Sequence, residues 1–300
     1  MRLGTRGSAL ALAQARQVAR ALEAAQPGLQ VELVEIRTSG DESSRTALSS
    51  IGDKSRFVKE IEEALLGGEI DLAVHSAKDV PGVLPDGLAI VGVPEREDPR
   101  DSLCGEFPSL DDLREGASVG TSSLRRSAQL LAARPDLRVS ELRGNVDTRL
   151  RKLAEGSHDA IVLAAAGLKR LGRDEGTPLA VSLMTPAPGQ GCLALEARRD
   201  DARAAELAGR LTDRGALTCL TAERALVERL EATCHTPVGA HASLEGALQL
   251  SAFVGLPDGT TWIRDSLSGD AGDPAGLGSA VAERLLAAGA RAVLDEAERV

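Results

Sequence analysis

Apolar and polar positions alternate so as to predict a succession of strands and helices over the first two thirds of the chain. Val31 to Arg37 (VELVEIR) and Ile70 to His75 (IDLAVH) read as strands, since short apolar runs rich in β-branched residues suit a pleated, buried surface. Between them Phe57 to Leu66 has helical spacing, with Phe57, Ile61, Ala64 and Leu65 on one face. Leu88 to Val93 is a further short strand, and the polar run PEREDPRD at 94–101 then reads as a linker or hinge.

A second α/β stretch follows. Ala117 to Gly120 ends a strand, TSSLRR opens a helix, and Leu137 to Leu142 is a strand. GNVDTRLRKL starts another helix and Asp159 to Ala164 is a buried strand. Both stretches hold a strand that ends in Gly-Thr and turns into a helix, LGTRGSALALAQA at 3–15 and VGTSSLRRSAQLLA at 119–132, so two similar α/β domains are expected. TPAPGQG at 185–191 is a second crossing, after which a helix from Asp201 to Leu211 returns to the first domain. Beyond Arg214 the pattern changes to a helix (Leu217 to Leu230), a hairpin through Glu245-Gly246 (Ala240 to Val254) and a helix (Ser279 to Ala288). The expected division is therefore 1–95 with 192–213, then 96–191, then a small α+β domain at 214–300. The Gly/Ser-rich polar stretch Ser39 to Ser55 is long enough to be a mobile loop over a cleft.

Composition narrows the function. The 300 residues include no Tyr, one Trp and three Phe, which disfavours modules that stack bases on aromatic platforms. A net charge of −10 disfavours a duplex-coating protein, whose binding needs a basic face. No apolar run approaches the length of a membrane span, and Arg16 follows the N-terminal Ala/Leu stretch too soon for a signal segment. A cytoplasmic protein without membrane or nucleic-acid partners is expected. Cys104, Cys192, Cys219 and Cys234 are widely spaced and only four His are present, poor material for a metal site or a disulfide framework.

Charge is uneven. Between Gly120 and Arg173 there are 11 basic and five acidic residues, a local +6 in an acidic chain. Guanidinium forks match carboxylates and phosphates, so the island points to an anionic ligand, although any one Arg could equally sit on a solvated helix face. Four segments place hydroxyls, Asn or Arg at a strand end or helix start: TRGS (Arg6, Ser8), TSSLRR (Ser123, Arg125, Arg126), RGNVDTR (Arg143, Asn145, Arg149) and GLKR (Arg170). Helix starts expose unpaired N–H groups and favour anions. A fifth, VHSAKDVP, sets Lys78 and Asp79 just past a buried strand, where open α/β sheets bind ligands. Asp79 among arginines would stay ionised, able to accept from a cationic group or shuttle a proton; it would equally serve to cap the turn before Pro81.

VHSAKDVP, GTSSLRR, LRGNVDTRL, AGLKRLG and the cysteine in LEATCHTPVGA, in this order and across essentially the whole chain, resemble the porphobilinogen deaminase (hydroxymethylbilane synthase) family. The resemblance implies two periplasmic-binding-protein-like α/β domains flanking a cleft, and a small C-terminal α+β domain. It implies a transferase of tetrapyrrole biosynthesis. Four porphobilinogen molecules would be condensed head to tail, with loss of ammonia, onto a covalent dipyrromethane primer, and hydrolysis would release hydroxymethylbilane. By motif, Cys234 is the thioether attachment site and Asp79 the catalytic carboxylate, which hydrogen-bonds pyrrole N–H groups and stabilises the cation formed as ammonia leaves. Arg6, Arg125, Arg126, Arg143, Arg149 and Arg170 would hold acetate and propionate groups, assisted by Lys54, Lys78, Ser8, Ser123 and Asn145, with Phe57 against the growing chain. The family is expected to be monomeric. The chain departs from the family pattern at EAT before Cys234, at Pro188 and at Arg56. Without the resemblance, a two-lobed polycarboxylate-binding module that performs no chemistry is the competing reading.

Overall fold

The computed structural model describes residues 1–37, 58–233 and 236–299. The loop expected at 39–55, with Lys54, Phe57 and Cys234, lies outside the described residues. In chain order the elements begin with β1 (Arg2–Arg6), α1 (Ala9–Ala25), β2 (Glu32–Ile36), α2 (Lys59–Leu66), β3 (Leu72–Ser76) and β4 (Leu88–Gly92). Next come β5 (Asp101–Gly105), β6 (Ser118–Gly120), α3 (Leu124–Ala133), β7 (Arg138–Ser140), α4 (Val146–Ala154), β8 (Ala160–Ala164), α5 (Ala165–Arg170) and β9 (Thr177–Pro178). The last third holds β10 (Leu193–Arg198), α6 (Ala202–Gly209), α7 (Arg214–Leu230), β11 (Val238–Glu245), β12 (Ala247–Gly255), β13 (Trp262–Gly269), α8 (Pro274–Ala287) and α9 (Ala290–Ala297).

Two compact units result, Met1–Glu97 with Cys192–Leu217, and Asp98–Gly191 with Thr218–Val300. The first contains a five-stranded sheet of order β2-β1-β3-β10-β4. In it β1 runs parallel to β2 and β3, while β10 is antiparallel to β3 and β4. The second contains a sheet of order β7-β6-β8-β5-β9, with β6 parallel to β7 and β8, and β5 antiparallel to β8 and β9. The two sheets have one plan: the strand that opens each α/β run lies second, and an antiparallel strand from beside a crossing lies fourth. The repeated Gly-Thr marks the shared position, since Thr5 on β1 and Thr121 after β6 are both buried ahead of their helices.

Local chemistry fixes the helix starts. Ser8 caps α1 by accepting from the Ala11 N–H, Asn145 caps α4 through the Thr148 N–H, and Asp273 caps α8 ahead of Pro274. That cap starts the last long helix five residues before the Ser279 expected from periodicity. Pairing supplied strands that periodicity left out, notably β5, β10 and β13. The sheet β11-β12-β13 packs on α7, α8 and α9 through an aliphatic core that includes Leu226, Leu230, Val254, Leu285 and Leu294. Its hairpin turns at Gly246, φ 90°. Within the second unit Glu223 of α7, fully buried, accepts from the N–H groups of Gly189 (2.6 Å) and Ala242 (2.7 Å), tying TPAPGQG to β11. Cys104, Cys192 and Cys219 are buried, and burial pushes the Cys104 thiol up to about 12, so it acts as a small apolar side chain. Among the described residues no helix is long and apolar enough to cross a membrane.

Candidate functional site

In the first unit a small pocket, open to solvent, is lined by Arg6, Ser8, Leu10, Ala11, Gln14, Val58, Val74, His75, Ser76 and Asp79. Strand order makes it. β1 and β3 are neighbours in the sheet, and each ends at the same edge, β1 in Arg6 and β3 in Ser76. A single 3-10 turn, Ala77–Asp79, follows β3 and carries Lys78 and Asp79, both half-buried. Its main chain is pinned at both ends: the Ala77 N–H donates to the Cys192 carbonyl (3.0 Å) and the Val80 N–H to the Ala77 carbonyl (3.2 Å). Gln14, a polar position on the otherwise apolar buried face of α1, donates through Nε2 to Ser76 Oγ at 2.9 Å and fixes helix to strand. The structure thus brings Arg6, Ser8 and Asp79 together in one pocket, with Lys78 beside it in the turn.

The remaining described candidates all lie in the second unit, around α3, α4 and α5. Arg125 and Arg126 are buried at 5% and 6% exposure and grip the fully buried Asp101. Arg125 Nη1 meets Asp101 Oδ2 at 2.7 Å and the Thr185 carbonyl at 2.6 Å. Arg126 donates through Nη2 and Nε to Asp101 Oδ1 at 2.7 and 3.0 Å, and through Nη1 to the Val162 carbonyl at 2.9 Å. Burial by itself would raise the Asp101 carboxyl, but the two guanidiniums overcome that and hold it far below the usual carboxylate range. Gln190 joins the group, with Nε2 donating to Asp101 Oδ1 (3.0 Å) and to the Pro99 carbonyl (2.7 Å). PEREDPRD, read from its polarity as a linker or hinge, therefore ends in a strand residue at the centre of a buried network.

Arg149 differs from that pair. Its Nε donates to the Gly144 carbonyl at 2.7 Å, and burial together with the nearby Arg126 pushes its guanidinium down to about 10. Among the described residues no carboxylate pairs with it, so it is a partly desolvated cation suited to an anion. Gly144 has φ 122°, and a Cβ there would lie 2.8 Å from Thr148 Cγ2. Only glycine lets the chain turn at that point, which sets the Asn145 cap and the Arg149 contact. Arg143 is exposed and paired with Glu141 at 2.6 Å. Ser123 precedes α3 and its N–H donates to Thr121 Oγ1 at 3.1 Å. Arg170 Nη2 donates to the Gly191 carbonyl at 2.7 Å. Sequence reasoning did not single out Gln14, His75, Asp101 or Gln190; only Gln14 left a local signal, a polar side chain on an apolar helix face.

This donor set suits a ligand with several carboxylates. Comparison with known proteins agrees with that chemistry. Residues 1–206 match the family model for the porphobilinogen deaminase dipyromethane cofactor binding domain, and residues 217–287 the model for the porphobilinogen deaminase C-terminal domain. The chain is 50% identical over 299 residues to a porphobilinogen deaminase of Trichlorobacter lovleyi, covering 99% of this chain and 96% of that one. It is 52% identical over 296 residues to a porphobilinogen deaminase of Roseiflexus castenholzii, covering 97% of each. Similarity to the periplasmic aliphatic sulphonate binding protein SsuA of Escherichia coli is loose (TM-score 0.41, 17% identity, 77% of this chain and 70% of that one) and carries no argument. The breadth of the two family matches and of these relatives establishes that the chain belongs to the porphobilinogen deaminase family.

Proposed function

We propose that this chain is a transferase, a hydroxymethylbilane synthase. It condenses four porphobilinogen molecules head to tail with loss of ammonia and releases hydroxymethylbilane by hydrolysis. The observation that carries the reading is the shared pocket of Asp79, Arg6 and Ser8 at the ends of β1 and β3. Each porphobilinogen brings an acetate and a propionate, so Arg6 can hold the carboxylates of a ring whose N–H donates to Asp79. Positive charge develops on the substrate as the aminomethyl C–N bond breaks. A fixed carboxylate there stabilises that charge without reorganisation. Lys78, in the same turn, adds a second cation for carboxylates.

Dipyrromethane supplies, when bound, a primer whose terminal ring carries the nucleophilic α-carbon. The donor chemistry of this chain fits such a group. Arg149, half-buried and unpaired with acid among the described residues, can take a carboxylate, with Ser123, Arg125 and Arg126 at the start of α3, Arg143 and Asn145 just before α4 and Arg170 at the end of α5 as further donors. Charge-assisted hydrogen bonds of this type contribute roughly 1.5–3 kcal/mol each. Cys234 is the attachment point in this reading, by a thioether, with Lys54 and Phe57 as further substrate contacts. Residues 1–95 with 192–213, 96–191 and 214–300 act as three domains, the last one bearing the primer. The enzyme works as a monomer in the cytoplasm, with porphobilinogen as its partner and with neither nucleic acid nor membrane.

Intact mass of the purified chain and of Cys234→Ala, before and after addition of porphobilinogen, tests this. The expected result is an excess over 31.2 kDa equal to two condensed pyrrole units in the wild type, growing with substrate, and no excess in the variant. If the wild type carries no adduct even after substrate, the polycarboxylate-binding module becomes the better account.

A further inference from the structure

Three ionisable side chains that the mechanism above leaves unused are packed behind the Asp79 pocket. Glu196 on β10 is 0% exposed, His75 on β3 is 5% and Glu62 on α2 is 8%. His75 Nε2 lies 3.0 Å from Glu196 Oε2, yet the contact is not aligned as a hydrogen bond. Both Glu196 oxygens, His75 Nε2 and Glu62 Oε1 are buried without a hydrogen-bond partner in the protein. Native interiors rarely leave so many polar atoms unsatisfied in one place. Two carboxyls and one imidazole so placed, short of hydrogen-bond partners and out of reach of solvent, form a single polar cluster in a low-dielectric setting, where a proton placed between them satisfies atoms that are otherwise left bare. His75 also lines the pocket that holds Asp79, so the trio touches the site on one side.

We propose that His75, Glu196 and Glu62 form a buried proton store that takes up the proton released in the Asp79 pocket at each condensation. The inference rests on the deaminase reading. In that reaction the aminomethyl C–N bond breaks, with its electron pair leaving on ammonia. A C–C bond forms to the α-carbon of the acceptor pyrrole, and the hydrogen on that carbon leaves as a proton. Asp79 must stay ionised to face the next developing cation, so the proton has to move on. His75 is the way out of the pocket, the two carboxyls hold the charge, and the store empties to solvent before the next ring arrives.

The surroundings suit a neutral working range. Burial first, and the Glu196 carboxylate second, push the Glu62 carboxyl up to about 7, with His75 opposing and Glu63 adding slightly. Among the described residues, the other charged side chains on the elements that carry the trio or line its pocket include Lys59 and Glu60 on α2, Arg198 on β10, and Arg6 and Asp79 at the pocket. Arg198 is committed to the Leu65 and Ile70 carbonyls and to Asp201, and β4 brings no ionisable side chain.

Turnover against pH, with isotope-labelled glutamate carboxyls followed by infrared spectroscopy, tests the store. In the wild type turnover should fall through a one-proton limb near pH 7 as the store fills. In the same range a single buried glutamate should gain its proton, far above the usual carboxylate range. Glu62→Gln should abolish both the limb and that signal. Glu196→Gln removes the repelling carboxylate and should move the limb acid-ward by about one pH unit. His75→Gln should still acquire the mass adduct but turn over at least tenfold slower, roughly the low end of what proton transfer contributes. A limb unmoved in both glutamate variants, or no wild-type glutamate titrating near neutrality, overturns the store; the infrared result decides even if a variant does not fold. Absence of any adduct in the wild type would instead overturn the deaminase reading.

Discussion

Asp79→Ala should lower turnover of porphobilinogen by about 10²–10³-fold or more, the range seen when a preorganised electrostatic stabiliser is removed, while the chain stays folded. The two halves of the expectation come from different observations. Asp79 is half-buried in a one-turn helix whose fixed points are main-chain bonds, from Ala77 to the Cys192 carbonyl and from Val80 to the Ala77 carbonyl. Removing its carboxylate leaves those bonds in place, and substitutions of partly exposed side chains away from a packed core cost little. Chemistry has no such substitute. The other polar groups lining the pocket are Arg6, Ser8, Gln14, His75 and Ser76. None of them is a carboxylate that could stand in for Asp79 beside a developing cation. Asp79→Asn separates the two tasks of the side chain, since the amide oxygen still accepts from a pyrrole N–H but carries no charge. Its turnover should fall almost as far as that of Asp79→Ala, while its KM changes less. Steady-state kinetics alongside thermal unfolding would check this. Near-normal turnover in either variant would remove Asp79 from the mechanism, and a collapsed unfolding midpoint would make it a structural residue.

How far the sequence made the molecule legible follows from the range of the forces involved. Strands such as Leu72–Ser76 and Ala160–Ala164, and helices such as Lys59–Leu66, lie within two residues of where periodicity placed them, because one face or both must be apolar. The Gly-Thr echo foretold two sheets of one plan. β5 was hidden because Asp101–Gly105 starts with an acid and ends in glycine, and its strand character comes from β8 and β9. β13 alternates half-buried and exposed residues and depends on β12. In the site, motifs located Asp79 and the arginines, but local pattern could not say which anion each arginine meets. Arg125 and Arg126 hold Asp101, a carboxylate of the chain itself, some 24 and 25 residues away, whereas Arg149, in the first turn of α4, meets no such acid among the described residues. His75 stood inside VHSAKDVP all along; its significance depends on Glu196, which reaches it only because β10 inserts beside β3.

Asp101→Ala should destabilise the second unit by about 3–5 kcal/mol, the usual result of removing one partner from a buried ion pair. That lowers its unfolding midpoint by roughly 10 °C. The carboxylate is fully buried and satisfies Arg125, Arg126 and Gln190 together. Deleting it strands two guanidiniums at 5% and 6% exposure, side by side in the interior. Asp101→Asn keeps the shape and one acceptor, and should fall between the variant and the wild type. The pH dependence has a definite sign. A carboxyl held below its unfolded value of 3.8 binds fewer protons folded than unfolded. Its stabilisation is therefore whole above about pH 4 and is lost as the pH falls from there toward the depressed folded value. The wild type should accordingly lose stability more steeply than Asp101→Asn below pH 4. The same network links stability to ligand binding, because Arg126 is also the charge that pushes Arg149 down. With Asp101 gone, the unneutralised pair should raise the local positive potential and draw anions in, so phosphate or a polycarboxylate should recover part of the lost midpoint in Asp101→Ala but little in the wild type. A variant as stable as the wild type, or one that anions do not rescue, would mean that Arg125 and Arg126 find other partners and that Asp101 is not the group holding them.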